Sequence, residues 1–409
     1  MADVTPRLGL SEPALMPLHR GTNQSGMRDS NERAVLSLVR LHGGLSKSEI
    51  ARLTRLSAQT VSVIMRELEA EGLLLKGEPQ RGRIGQPSVP MSLNPDGAYF
   101  LGLKIGRRSA ELVMTDFLGR VCAQRELSYV YPTPDETKRF LFEALADMRA
   151  ALTPAQDARI AGLGIAMPFE LWNWAEMAGA PRQLMDQWRD RDIRAEFQSE
   201  LLFPVFLQND ATSACGAELV FGRVRDLRDF VYFFIGAFAG GGVVLNGQLY
   251  SGPTGNAGAL GSMPVPGPGG RPAQLIDIAS LTVLERQLKT GGAAAAPRWT
   301  SLRSWQNAGA VADRWIEDAA NALAYAIVSA ASVIDFEAAI IEGWMPPEIR
   351  KRLTDSVRAA LGRIDVEGLQ VPEIREGSVG HHARAVGAAS LPLSERFLVG
   401  ASAPSTGVF

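Results

Sequence analysis

Residues 45–74 read LSKSEIARLTRLSAQTVSVIMRELEAEGLL, and this stretch decides the fold of the N-terminal part of the chain. One helix is predicted after Ser46 and another after Ser57, since Ser is a favoured N-cap residue, and Gly72 predicts the end of the second. Apolar side chains recur at helical spacing in both segments. Those expected to form a shared core are Ile50, Ala51, Leu53, Val61, Ile64, Met65 and Leu68.

The flanking sequence extends this pair of helices to a complete DNA-binding domain. An earlier helix is predicted to start with Ser30 or Asn31 as N-cap and to end at His42-Gly43-Gly44. After Leu73, two short apolar runs flank a loop rich in Gly, Arg and Gln, which is the composition of a β-wing. We therefore predict a winged helix-turn-helix over residues 30–94, preceded by a flexible arm over residues 1–29.

A helix-turn-helix places its second helix in the major groove, so polar side chains on that helix are the candidates for DNA contact. Amide and hydroxyl groups suit base edges, whereas Arg in a Gly-flanked wing suits phosphates or the minor groove. The predicted DNA-binding residues are Ser57, Gln59, Thr60, Ser62, Arg66, Arg81 and Arg83. The alternative is an ordinary three-helix packing domain, but the order of helix, helix, turn, helix and wing favours DNA binding.

Composition limits the possible classes of protein. The 409 residues, 46% of them hydrophobic, suffice for two or three domains, and no apolar run is long enough for a membrane span. The first 90 residues carry 12 Lys and Arg against 9 Asp and Glu, and the remainder 30 against 35. Because Cys122 and Cys215 are far apart and no secretory signal is visible, we expect a cytoplasmic protein in which each cysteine is a small buried side chain.

From Pro95 the chain alternates strands with helices. The segment 99–129 predicts three strands linked by hairpins, and the segment 230–252 predicts a similar arrangement of strand, glycine turn and strand. This duplication predicts a mixed α/β body of two lobes, approximately 95–225 and 226–395, followed by a flexible tail over 396–409.

Several stretches of the chain resemble the ROK family of repressors and sugar kinases, in the branch that carries an N-terminal winged helix. They are the head segment quoted above, FLGLKIG (100–106), IAGLGIAMP (160–168), PVFLQNDATSACGAE (204–218), GGGVVLNGQLYSGPTGNAGALGSMPV (240–265), SVIDFEAAIIEG (332–343) and VGAASLPL (386–393). The resemblance implies an actin-like, ribonuclease-H-like pair of lobes with a ligand cleft between them.

Departures from the family's kinase pattern predict that the body has no catalytic residues and no cofactor. The family's D-x-G-G-T phosphate loop is replaced by Lys104-Ile105-Gly106-Arg107-Arg108. Its second phosphate loop, similar to GTGxGGG, reads GAFAGGG, with Ala237 and Phe238 at altered positions. Because phosphoryl transfer depends on positioning and electrostatics, losing both cradles should abolish it.

The family's sugar motif G-N-A-G-E-x-G-H is also altered. Asn256 is kept, whereas Ala259 and Ser262 replace the Glu and His. Gly267, Gly269 and Gln274 stand where the family's zinc-binding cysteines are expected, so we predict no metal. Shortly afterwards, Ile276 replaces another Glu of the family pattern.

Five side chains remain as candidates for binding an effector in the cleft. They are Glu170, Asn209, Asp210, Asn256 and Ser262. For Asp210 two interpretations stay open: a hydrogen bond to a sugar hydroxyl, or a cap on a helix that begins at Ala211. The neighbouring aromatic residues Phe169, Trp172 and Trp174 either stack on a sugar ring or, as Trp more often does, fill the core.

The sequence therefore predicts a regulator, expected to be a repressor of carbohydrate genes, that binds a palindromic site on double-stranded DNA as a homodimer or dimer of dimers. Its body would sense a sugar, polyol or related molecule, with no membrane partner. Two alternatives remain: a dimeric scaffold controlled by a protein partner, and an active sugar kinase with an added head.

Overall fold

The computed structural model describes residues 24–79, 88–168, 170–175, 179–290 and 298–399. The head contains helices α1 (Gln24–His42), α2 (Lys47–Thr54) and α3 (Ala58–Ala70), and strands β1 (Leu74–Lys76) and β2 (Met91–Leu93). The strands pair antiparallel as the sides of the wing, and Leu45 adds a bridge to Met91. The predicted order of elements is confirmed.

Local capping explains where the second and third helices begin. The Ser46 side chain accepts from the Glu49 amide while the Glu49 side chain accepts from the Ser46 amide, a reciprocal capping box. Ser57 caps α3 by accepting from the Thr60 amide. The residue between these helices, Arg55, has φ of 59°, a left-handed conformation that few side chains adopt.

Two expectations for the head are wrong. Helix α1 begins at Gln24, so Ser30 and Asn31 lie inside the helix and cap nothing. Leu53 is 43% exposed, although the other six residues of the expected core are buried or partly buried. It lies near the end of α2, a helix of about two turns in which Ile50 is the buried residue.

Two five-stranded sheets of the same topology form the body, which confirms the predicted duplication. In each, two antiparallel hairpins lead into two parallel strands, in the order β5-β4-β3-β6-β7 and β10-β9-β8-β13-β14. The first sheet comprises β3 (Tyr99–Ile105), β4 (Ser109–Thr115), β5 (Val121–Ser128), β6 (Ile160–Met167) and β7 (Val205–Asn209). The second comprises β8 (Phe230–Ile235), β9 (Ala239–Leu245), β10 (Gln248–Tyr250), β13 (Ala338–Gly343) and β14 (Glu373–Glu376). A separate hairpin joins β11 (Pro264–Pro266) to β12 (Pro272–Gln274).

Helices cover these sheets and connect their strands. They are α4 (Pro134–Ala150), α5 (Pro154–Asp157), α6 (Arg182–Asp186), α7 (Ile193–Glu200), α8 (Asp210–Phe221), α9 (Ile276–Ala279), α10 (Leu281–Thr290), α11 (Leu302–Ala331), α12 (Pro347–Leu361) and α13 (Ala383–Phe397). In the described residues no helix is long and apolar enough to cross a membrane.

The lobes meet where α8, which packs on β9, contacts α13, which packs on β3 and β6. Glycines permit the close approach. A Cβ on Gly387 would lie 1.9 Å from the Ser213 carbonyl oxygen, and one on Gly164 would lie 1.8 Å from that of Ala388. Neither distance is possible for real atoms, so these positions require glycine.

Helix α13 also connects the body to the head. Its penultimate turn and end reach a core shared with α1, where the Phe397 ring lies 5.0 Å from Phe117 and 5.8 Å from Phe100. The Val399 amide donates to Ser37 Oγ of α1 at 3.0 Å. The predicted tail boundary at 396 is therefore too early, because Phe397 is 6% exposed and anchors two domains.

The cysteine expectation is half right. Cys215 is fully buried in α8, facing the glycines of β9, and burial raises the pKa of its thiol well above the ordinary value. Cys122 is exposed, because it lies at the start of β5, the outer strand of its sheet.

Candidate DNA interface and effector cleft

Helix α3 presents one buried and one exposed face. Val61, Ile64, Met65 and Leu68 pack into the head, whereas Gln59, Ser62, Val63 and Arg66 follow the spacing i, i+3, i+4, i+7 on the opposite side. We call these four residues the recognition face. Gln59 and Arg66 are exposed, and Val63 is 41% exposed despite being apolar. The face offers an amide, a hydroxyl, a methyl-bearing side chain and a guanidinium, which are groups that read base edges and phosphates.

The other predicted DNA-binding residues fall into two sets. Ser57 Oγ and Thr60 Oγ1 hydrogen-bond each other at 2.8 Å, so both hydroxyls already serve the start of the helix. Arg81 and Arg83 lie outside the described residues, and their role stays a prediction.

Sequence reasoning missed exposed groups next to the recognition face. Val63 was overlooked because an apolar residue on a helix is normally assigned to the core. Arg52 and Arg55 are exposed at the end of α2 and in the turn before α3. Their position beside the recognition helix could have been read from the helix-turn-helix pattern, since the first helix crosses the phosphate backbone.

The cleft between the lobes has a volume of about 250 Å³. It collects all five predicted effector residues from separate parts of the sequence: Glu170, Asn209, Asp210, Asn256 and Ser262. Glu170, Asn256 and Ser262 are exposed, whereas the other two are half-buried. The structure therefore brings these five residues to one cleft, while the binding of an effector by each side chain stays a prediction.

Asn209, and not Asp210, caps helix α8. Its Oδ1 accepts from the Ala211 and Thr212 amides at 3.0 and 3.2 Å, and the helix begins at Asp210 itself. The capping interpretation of Asp210 is therefore wrong. Its Oδ2 instead accepts a hydrogen bond from Arg384 Nη1 at 3.0 Å. Since Asp210 starts α8 and Arg384 lies in the first turn of α13, this ion pair joins the two helices through which the lobes meet.

Arg384 was not expected from the sequence. Its guanidinium lies 5.0 Å from the ring centre of Phe234 and 5.5 Å from that of Trp344, within the range of cation–π attraction. Only 12% of its side chain is exposed, and its Nε is buried without a hydrogen-bond partner. A single arginine near the start of a helix does not indicate, in one sequence, that its side chain lies in a cleft between two lobes.

Lys104 is 2% exposed at the position where the resemblance expects an acid. Its ammonium donates to Ser109 Oγ at 2.9 Å and lies 5.3 Å from the Trp344 ring centre. Burial, followed by the repulsion of Arg384, lowers the pKa of Lys104 to about 8. Nearby, Glu111 Oε1 hydrogen-bonds His382 Nδ1 at 2.6 Å, and this contact helps to lower the carboxyl pKa against the opposing effect of burial.

Three further contacts join the two lobes beside the cleft. The rings of Trp174 and Phe238 meet edge to face, with centres 4.4 Å apart. Arg107 Nη1 lies 3.6 Å from Glu285 Oε2, and Arg108 Nη2 lies 3.5 Å from the same oxygen. The aromatic pair and the two arginines therefore occupy the regions of both altered phosphate loops. Trp172 instead packs partly into the first lobe, and Phe169 lies outside the described residues.

The positions expected for zinc-binding cysteines form the β11–β12 hairpin. Gly267 and Gly269 lie in its turn, and Gln274 pairs with Pro264. Within the described ranges there is no cluster of three His, Cys, Asp or Glu side chains that could hold a metal.

The fold and these two regions define a protein with a winged helix-turn-helix head on a two-lobed sugar-kinase-like body. The chain belongs to the ROK family, whose model matches residues 100–395, and a winged helix-turn-helix DNA-binding model matches residues 28–74. Proteins named xylose repressor and N-acetylglucosamine repressor are among its curated relatives.

The relatives cover the chain to different extents. An uncharacterized protein, y4fQ, of Sinorhizobium fredii is 26% identical over 91% of this chain and 93% of its own length. The xylose repressor of Bacillus spizizenii is 24% identical over 59% of this chain and 62% of its own. The transcriptional dual regulator NagC of Escherichia coli is 23% identical over 58% of each chain.

Solved structures show the same fold. A ROK family transcriptional regulator, described as a homologue of the E. coli MLC protein, aligns with a TM-score of 0.66 and 22% identity over 90% of this chain and 96% of its own. A ROK family glucokinase from Streptomyces griseus, solved with glucose and AMPPNP, aligns with a TM-score of 0.57 and 21% identity over 72% of this chain and 99% of its own. The fold is therefore shared by regulators and kinases.

Proposed function

We propose that this protein is a sequence-specific repressor of carbohydrate genes that binds DNA through the recognition face of α3 and a small hydroxylated effector in the cleft. The observation that carries the proposal is the exposure of Gln59, Val63 and Arg66, with the half-buried Ser62 between them, on one face of a capped helix in a winged head. Gln reads adenine, Arg reads guanine or phosphate, and Val contacts the thymine methyl group.

Helix α13 supplies the route from effector to DNA. Its first turn carries Arg384 in the cleft, whereas its last residue, Phe397, and Val399 just beyond its end contact the head at the core shared with α1. An effector with different affinity for two lobe arrangements would shift α13 relative to α8 and thereby move the head. For a homodimer on a palindromic site, this motion changes the spacing of the two recognition helices.

Phosphoryl transfer is not part of the proposed function. Asp210, an acid that the resemblance places in the kinase site, is bonded to Arg384 at 3.0 Å. Lys104 supplies a positive charge where the family pattern has an acid, and Trp174 and Phe238 fill the second phosphate loop. The test is ATP turnover with a panel of sugars, and turnover that Asp210→Asn abolishes would contradict this part of the proposal.

The regulator itself is tested by selecting genomic DNA fragments from the host with the full-length protein. We expect a palindromic site to be enriched, and enrichment to be lost in the Gln59→Ala, Arg66→Ala double variant. Light scattering on the same samples measures the oligomeric state, for which we expect an even number of subunits. Failure to enrich any site at moderate salt, with the protein folded, would contradict the proposal and favour a scaffold that depends on a protein partner.

A further inference from the structure

Among the described residues that line the cleft, the buried polar side-chain atoms without a hydrogen-bond partner belong to arginines. Among the described residues, the Nε atoms of Arg107 and Arg384 are both buried and make no hydrogen bond. Arg107 Nη1 lies 3.6 Å from Glu285, which is too long for a normal hydrogen bond. Arg384 has five N–H donors, of which one is used on Asp210. The cleft thus holds two guanidinium groups with unused donors.

The wall of the cleft that corresponds to the family's sugar motif, by contrast, has few strong hydrogen-bond acceptors. Ala259 and Ser262 line the wall where the family motif has Glu and His, and Ile276 adds an apolar surface. Asn256 and Glu170 remain to bond hydroxyl groups. A neutral sugar would leave the two arginines without partners, whereas an acid would satisfy them.

Resting on the proposed function of the cleft as an effector site, we propose that its effector is a sugar acid, a small polyhydroxylated carboxylic acid whose carboxylate pairs with Arg384. A guanidinium held between the Phe234 and Trp344 rings keeps its planar fork in place for a bidentate carboxylate. Asp210 already occupies one N–H of this fork. A ligand carboxylate that bonds both Nη1 and Nη2 therefore has to displace Asp210 from Nη1.

A single negative charge fits the cleft better than the double charge of a phosphate ester. Glu170 and Asp210 line the cleft, and Glu285 lies against Arg107 at its edge. Together with Glu111 they balance the positive charges of Lys104, Arg107, Arg108 and Arg384, which leaves the cleft no excess positive charge to hold a dianion. The Trp174–Phe238 contact also closes the glycine loop that would otherwise cradle a phosphate group.

Displacing Asp210 has a consequence for regulation. The Asp210–Arg384 pair connects the start of α8 to the start of α13, and these helices pack on different sheets. When a ligand carboxylate binds Arg384 in place of Asp210, the direct ion pair between α8 and α13 is lost, and the two helices are connected through the ligand. The exchange gives the acid a different affinity for the two lobe arrangements, which is the condition for it to control DNA binding.

The experiment is isothermal titration and thermal shift of the full-length protein with matched probes: gluconate and glucuronate as acids, sorbitol and glucose as their neutral counterparts, and glucose 6-phosphate. We expect an acid to bind and its neutral counterpart to bind at least about 10-fold more weakly. Arg384→Gln should weaken binding of the acid by on the order of 10- to 100-fold. Asp210→Asn should strengthen binding of the acid, because the carboxylate that competes for Arg384 is lost.

The Asp210→Asn variant distinguishes ligand recognition from a merely structural role of Arg384, since a structural role predicts no gain in affinity. Equal binding of a neutral probe, tighter binding of glucose 6-phosphate, an unchanged affinity in Arg384→Gln, or no response to either acid would each overturn the proposal. DNA selection is measured separately on the same preparations. Enrichment of a site without any response to acids would overturn the ligand class and leave the regulator standing.

Discussion

Replacing Phe397 with Ala should detach the head from the body while leaving most of the body folded. The Phe397 ring is 6% exposed and contacts Phe100 and Phe117 in the core that the head shares with the first lobe. Truncating a buried Phe to Ala costs about 3–5 kcal/mol, and we expect the lower end because Phe397 closes the last turn of α13. Such a loss is a large fraction of a domain stability of about 5–15 kcal/mol.

The placement of the tryptophans makes this change measurable. All seven lie between residues 172 and 344, in the body, so urea unfolding followed by Trp fluorescence reports the body alone. Circular dichroism also reports the helices of the head. The two transitions should nearly coincide in the wild type and separate in Phe397→Ala, with the circular dichroism midpoint shifted lower.

The matched control is Leu202→Ala, because Leu202 is fully exposed and its truncation should change stability by less than about 0.5 kcal/mol. A loss below about 1 kcal/mol in Phe397→Ala, or transitions that stay superimposed, would refute the role of α13 as the connection between cleft and head.

Three further predictions follow from buried and exposed groups. Lys104→Met should raise the free energy of unfolding at pH 7 by about 1–3 kcal/mol, since it removes a buried charge. Lys104 has a pKa of about 8 in the folded protein against the ordinary 10.5, so between these pH values the unfolded state binds more protons than the folded state. The stability of the wild type therefore rises with pH in this range. In urea titrations, the stability advantage of Lys104→Met should shrink from pH 8 to pH 10. Gly164→Ala should cost about 3 kcal/mol of stability or prevent folding, because its Cβ would overlap a backbone oxygen. In the control Gly216→Ala, the nearest atom to the new Cβ is 3.5 Å away, so this change should be neutral or stabilising by up to about 1 kcal/mol. Equal shifts in melting temperature for the two variants would contradict this packing. On a selected DNA site, Gln59→Ala should relax preference at one base pair, whereas replacing Arg81 and Arg83 with Ala should weaken binding to all sequences and flatten its salt dependence; an unchanged salt slope would remove the wing from the interface.

How much the sequence predicts depends on the range of the interaction. Caps and periodicity are local, so the helices of the head and both hairpin-rich sheets could be predicted. The Asp210–Arg384 pair joins residues 174 positions apart, and nothing in either local sequence indicates the other. The start of α1 was placed too late because Ser30 is a good cap by type, although residues from Gln24 already continue the helix.

The effector cleft lies between these extremes. Its residues could be assembled through the family resemblance, which fixes which loops meet. The hydrogen-bond partners of those residues could not be predicted, because they depend on which side chains the fold brings together. Asp210 is an example: its type suggested a cap or a sugar contact, yet Asn209 performs the capping and an arginine from the last helix takes its carboxylate.

The central claim, that the exposed face of α3 reads DNA sequence, is tested most directly by fluorescence anisotropy on a site selected from the host genome and on a scrambled duplex, at one fixed salt concentration. We expect the wild type to bind the selected site on the order of 1,000-fold or more tightly than the scrambled one, and the Gln59→Ala, Arg66→Ala double variant to lose most of that ratio while its thermal stability is unchanged. Equal affinity of the wild type for both duplexes, or a double variant that keeps the full ratio, would contradict the central claim.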